Sequence, residues 1–270
     1  MSQGYEEELD GLLDDYLTRF VDDDLRSYLV ARGRIPSPRA NLELAKEFAG
    51  AVSNPDRDWK MMWSLCTRWT SISPDQAPAD DPLEFAVFCG IRGLGALGAG
   101  SSGRAREVLA YIRSLARDPR WRAREAVAMA IQDILEAEPI IGLRALDDWI
   151  AAGAWLEMRA VAAGLAEPRI LKNRKVALAG VDMHNAIVKR FKAGKDRDSP
   201  EFRSLRQCLG YSVSVVVAAA PEEGFRWMMK LAESEDEDVL WMLKENSKKS
   251  RLVAKFPGRV ERLRATMRRS

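Results

Sequence analysis

The side chains able to do chemistry are few and scattered. His184 is the only histidine, and the three cysteines, Cys66, Cys89 and Cys208, lie far apart with no CxxC pair. A nucleophilic triad therefore has one possible base and a multi-histidine metal site has none. Neither a disulfide framework nor a cysteine zinc site is expected, and no cofactor is implied. Asp182 lies two residues from His184. On a helix that spacing puts the two on different faces, so His184 is read as a lone surface or packing histidine. Glu136, Glu138, Asp147 and Asp148 offer carboxylates for acid–base work, but such residues populate solvated helix faces everywhere. Residues 93–98 (GLGALG) match the dinucleotide pattern G-x-G-x-x-G. That motif needs a strand before it and an acid about 20 residues on. Residues 85–97 read instead as one helix, so its glycines are expected to sit at close helix–helix contacts.

Charge is the stronger signal. Net charge is only +2, yet residues 103–124 hold seven Lys/Arg against two acids, 169–206 eleven against four, and 244–269 ten against two. Such asymmetry points to an anionic partner. If the chain is built of stacked repeats, equivalent basic positions align along one surface. Arg120, Arg122 and Arg124, then Arg169, Lys172, Arg174 and Lys175, then Lys248, Lys249 and Arg251 would form a stripe able to track phosphates. Arg122, Arg174, Lys175 and Lys248 are expected to be exposed and free of tight carboxylate partners. Trp121 and Trp155 stand at equivalent repeat positions beside these cations. They are either partner contacts or inter-repeat packing.

The elements that must carry these residues are helices. Apolar residues recur with a 3.6-residue period, as in Leu9, Leu12, Leu13, Tyr16 and Leu17, or Val127, Ala130, Ile131 and Ile134. Val213, Val215, Val216 and Val217 form the one β-branched cluster; a lone strand has nothing to pair with, so they are read as buried helix. Five polar–proline pairs, at Ser37, Asn54, Asp81, Asp118 and Ser199, are read as helix starts. Asp81 and Glu84 have capping-box spacing. More than about 60% helix and no sheet is expected, against a base rate near a third. No apolar run approaches the roughly 20 residues of a membrane span. The acidic opening (Glu6, Glu7, Glu8, Asp10) is unlike a signal peptide. A soluble, cytoplasmic monomer is expected.

A weak repeat is visible. WRAREAVAMAI from Trp121 aligns with WLEMRAVAAGL from Trp155 at an offset of 34 residues, the length of one α-solenoid unit. The stretch DPRWRAREAVAMAI resembles the second half of a HEAT repeat, with Asp118 at the turn and Arg124 six residues on. The later copy keeps Arg159 but has Gly153 in place of the aspartate. Residues 235–252 (EDEDVLWMLKENSKKSRL) resemble the last repeat of HEAT-like proteins related to the alkylpurine DNA glycosylases. The resemblance implies an all-α α-solenoid of about six or seven HEAT-like helix pairs, an ARM-like superhelix. It would be a single domain over residues 1–270, with residues 1–33 as capping helices. It also implies that Asp118 caps the helix after it and that Arg124 packs along the turn. In those glycosylases groove aromatics contact the damaged nucleotide and an aspartate assists cleavage. No motif here matches that aspartate, so no catalytic residue is assigned. The functional expectation is a non-enzymatic scaffold whose concave, partly basic surface binds a protein or nucleic acid such as DNA. The alternative is a DNA-binding relative of, or an active, glycosylase in DNA alkylation repair.

Overall fold

The computed structural model describes residues 3–268. It is all-α: 75% of the chain is helical, and no strand occurs among the described residues. None of the described helices is long and apolar enough to cross a membrane. The chain divides into two compact units, residues 1–142 and 143–270, where the repeat pattern reads as one continuous domain.

The N-terminal unit contains α1 (Gln3–Arg19), α2 (Asp23–Arg32), α3 (Leu42–Val52), α4 (Trp59–Thr70), α5 (Glu84–Gly98), α6 (Ser102–Leu115) and α7 (Trp121–Ala137). Helix α8 (Pro139–Ala152) spans the boundary. Alternate helices α1, α3, α5 and α7 pack side by side in a row, with α2, α4 and α6 laid against α5. That alternation is what stacked helix pairs produce when each buries its apolar face on the next, and the unit is solenoid-like. Helix α5 is its axis and is buried nearly all round. The GLGALG glycines belong to this helix: a Cβ on Gly93 would stand 2.6 Å from the Cys66 sulfur, and one on Gly95 2.6 Å from the Ala130 Cα. The motif is a packing surface for α4 and α7. Phe48 and Trp69 stack beside it with centroids 5.2 Å apart.

The C-terminal unit holds α9 (Trp155–Leu165), a 3-10 turn (Ile170–Lys172), α10 (Arg174–Ala193), α11 (Pro200–Ala219), α12 (Pro221–Leu231), α13 (Glu237–Ser247), α14 (Ser250–Val253) and α15 (Pro257–Met267). Here the row is α9, α11, α13 and α15, with α10 and α12 against α11. The valine cluster lies in α11 and is buried. Phe191 and Phe202 stack with centroids 4.5 Å apart. Asn246 of α13 is fully buried. Its Oδ1 accepts the Ser214 N–H (2.7 Å), and its Nδ2 donates to the carbonyls of Leu209 (2.8 Å) and Met242 (2.7 Å). One amide thus bonds two main-chain groups of α11 and one of its own helix.

Of the five polar–proline pairs only Ser199–Pro200 starts a helix, with Ser199 accepting the Phe202 N–H of α11. Ser37, Asn54, Asp81 and Asp118 each accept the N–H two residues on and close a turn upstream of a helix. The reason is local: a short polar side chain reaches its own i+2 N–H as readily as a helix end. Side chains that do cap helices include Asn41, Asp58, Ser101, Asn173, Ser199 and Asp236. The capping-box carboxylate at Glu84 reaches back to the Asp80 N–H rather than to Asp81.

Candidate interface for an anionic partner

The two units differ in charge. The N-terminal unit carries 17 Lys/Arg against 23 Asp/Glu, net −6, and the C-terminal unit 25 against 17, net +8. The N-terminal unit also spends its cations internally. Arg120 is buried, holds both Asp118 carboxylate oxygens (Nε–Oδ1 2.9 Å, Nη2–Oδ2 2.6 Å) and donates to the Ala77 carbonyl. Arg122 is buried as well. Its Nη1 lies 2.7 Å from Asp80 and 3.0 Å from the fully buried Glu84, and its Nη2 donates to the Ser37 carbonyl at 2.6 Å. Both were expected to face a phosphate backbone; they are instead internal ties, because carboxylates from the preceding loop and helix reach them first. Arg124 donates to the carbonyls of Asp118 and Pro119. Asp118 accepts the Arg120 N–H just ahead of α7 rather than a first-turn N–H. Arg124, in the first turn of α7, thus reaches back with its side chain to the turn that Asp118 organises, and α7 has no side-chain cap. Trp121 is exposed, and the Arg122 guanidinium lies 4.4 Å from its ring centroid.

The C-terminal unit pairs some of its cations, such as Arg197 with Asp236, and leaves others at the surface. Lys172 and Lys175 are exposed around the start of α10, and among the described residues no carboxylate holds either of them. Arg169 is exposed too, in the turn ahead of them. Arg174 is exposed but meets Glu223 of α12 at 2.8 Å, so the expectation of a free guanidinium fails there. Lys248 is not free either: it bonds Glu245 one turn back, within reach of its long side chain, and holds that carboxyl below its ordinary range. Lys249 is half-buried and Arg251 exposed. Trp155, half-buried, donates to the Asp196 carboxylate at 3.0 Å and meets Phe202 edge-on at 5.3 Å; packing occupies it.

The surface that reasoning from single windows misses lies between α13 and α15. A groove of about 690 Å³ has Leu240, Trp241 and Met267 as its apolar lining. Lys244 and Lys248 rim one side, Arg264 and Arg268 the other, and Glu237 is the one acid along it. On α13 the lining falls at 237, 240, 241, 244, 247 and 248, a single helix face. That spacing is present in the sequence, but half of it is charged, so it does not stand out as an apolar stripe. The Trp241 ring is fixed: Arg206 lies 3.7 Å from its centroid and is tied to Asp238 at 2.7 Å, while Gly210 passes beneath the ring edge with no room for a Cβ. Arg264 is steadied by the Ser247 carbonyl at 2.6 Å. Asp236 caps α13 and meets Arg197 at 2.6 Å. Burial opposes its charge, but Arg197 and the first N–H groups of α13 outweigh burial and hold the carboxyl below its usual range. A second groove, between α10 and α12, is about 420 Å³ and mixes Asp182 and Glu223 with Lys189, Arg226 and Lys230.

His184 is fully buried, its Nδ1 2.7 Å from the Gly180 carbonyl and its Nε2 3.0 Å from the Ser212 hydroxyl. Burial lowers its pKa to about 4, so the neutral ring donates to Gly180 and accepts from Ser212. Among the described residues no group of three or more His, Cys, Asp or Glu could hold a metal ion. Set against family models, curated proteins and solved structures, the chain matches none.

Proposed function

We propose that the protein is a non-enzymatic recognition scaffold, a HEAT-like solenoid that binds an acidic partner, protein or nucleic acid, through its C-terminal unit. The reading rests on one observation: the unit at net +8 leaves Lys172, Lys175, Lys244 and Arg268 at its surface with no carboxylate among the described residues holding them. Like charges held together at a surface repel. A partner that neutralises them gains that energy and the entropy of released counterions. The reading takes the protein as a cytoplasmic monomer.

The test is a salt titration of the full chain with duplex DNA, single-stranded DNA and heparin. With six or more phosphate contacts, affinity for duplex DNA falls by about 10³ or more between 50 and 200 mM salt. Lys172→Glu with Lys175→Glu, or Lys244→Glu with Arg268→Glu, weakens binding regardless of base sequence. No binding of any polyanion at low salt ends the proposal. Release of free base from alkylated DNA overturns the non-enzymatic assignment in favour of the glycosylase alternative.

A further inference from the structure

We infer that the α13–α15 groove seats an acidic amphipathic helix of a partner protein; the inference rests on the scaffold reading above and names the partner at that site. The groove combines two features that a phosphate backbone cannot use together. Its lining is apolar at Leu240, Trp241 and Met267, and its rims are cationic at Lys244, Lys248, Arg264 and Arg268. A nucleic acid would neutralise the rims but leave the apolar lining without a partner. On Trp241 a base has at most one face to stack on, because Arg206 already covers the other and Gly210 closes an edge. A helix with Leu or Phe on one face and Asp or Glu on its flanks meets both demands. Its apolar face removes the lining from water, and its flanks reach the two rows of cations.

Length points the same way. From Glu237 to Lys248 the α13 face runs about 16 Å at 1.5 Å per residue, three helical turns. A partner helix of that length presents anchors at i, i+3, i+4 and i+7, the pattern by which a helix fills a groove between two others. Glu237 at one end sets polarity: it repels an acidic end and favours a partner whose basic or neutral end lies beside it. Arg264 and Trp241 are already held by Ser247 and Arg206, so little side-chain freedom is lost on binding.

The experiment uses the full chain and two labelled synthetic peptides of identical composition, rich in Leu and Glu. One places its leucines on a single helical face; the other distributes them around the helix. Fluorescence anisotropy at moderate salt should show the one-faced peptide binding at least about tenfold more tightly, the equivalent of seating one apolar side chain. The protein variant Lys244→Glu with Arg268→Glu should lose that binding while keeping its thermal midpoint, since both side chains are exposed. Leu240→Asp tests the lining separately and should remove the preference between the peptides. Equal affinity for the two peptides, or no effect of either variant on the one-faced peptide, overturns the inference. If heparin or DNA binds under the same conditions while the peptides do not differ, the scaffold reading stands and this inference alone falls. If no polyanion and neither peptide binds, both fall.

Discussion

Arg122 and Glu84 are charges removed from water, and each is tolerable because it has the other beside it, with Asp80 and Ser37 completing the contacts. Glu84 is fully buried and Arg122 nearly so. Arg122→Met should therefore destabilise the protein by about 3–5 kcal/mol, the cost of stranding a buried carboxylate. Adding Glu84→Gln to that variant should restore part of the loss, and urea melts of the single and double variants measure the coupling. His184 supplies a pH signature. The unfolded chain takes up a proton at the ordinary value near 6.5, while the folded ring resists until about 4. The group's folded pKa is lowered, so its contribution is present above pH 6.5 and is lost as pH falls through the window to 4. Over that window the loss is on the order of 3 kcal/mol. His184→Asn should flatten the slope of stability against pH between 6.5 and 4, whatever it does to stability at pH 7; an unchanged slope would mean the ring is protonated in the fold.

At the scale of elements, α5 and α7 meet at glycine. Gly95→Ala places a Cβ on the Ala130 backbone and should cost about 1–3 kcal/mol as the helices separate. Gly11, in α1, meets nothing within 4 Å, so Gly11→Ala should stabilise by up to about 1 kcal/mol through helix propensity alone. Thermal midpoints of the two variants should move in opposite directions. The helices themselves are legible in the chain, because each apolar stripe marks one buried face; the period along 127–134 becomes α7 and the valines of 213–217 sit inside α11. Starts are less legible. A polar residue before proline closes a turn or caps a helix by the same bond, and only neighbouring helices decide which. The site divides along the same line. Lys172 and Lys175 carry their charge visibly, since no carboxylate among the described residues takes it. Arg120 and Arg122 look identical to them in a charge count, yet Arg122 is neutralised by residues 38 and 42 positions earlier. The α13–α15 groove exists only once two helices lie together, which no window of either one displays.

For the whole molecule, opposite net charges are assigned to the two compact units. Binding of heparin should accordingly slow hydrogen exchange in residues 143–270, most of all in α13 and α15, and leave the amides of α1 to α7 unchanged. Protection centred on α7 instead would move the interface to Trp121 and the N-terminal unit. The acidic early residues have their own partners. Arg57 meets Asp10 at 2.9 Å and Asp14 at 3.2 Å, and Arg68 meets Asp22 at 3.4 Å. Raised salt should thus weaken partner binding far more than it lowers the melting temperature, because these short contacts are screened less than a diffuse surface field.

The amide of Asn246 has a chemical consequence for how the protein ages. It presents oxygen to one main-chain N–H and nitrogen to two carbonyls, all inside the core. Hydrolysis of that amide to a carboxylate, the ordinary slow fate of asparagine, would aim an oxygen at the carbonyls of Leu209 and Met242 and bury a charge without a counterion. A single nitrogen exchanged for oxygen would thus loosen α13, which carries one wall of the groove, from α11. While the helix stays formed the amide is held away from solvent, so the lesion should accumulate only in chains that have first unfolded, and those chains would be unable to return.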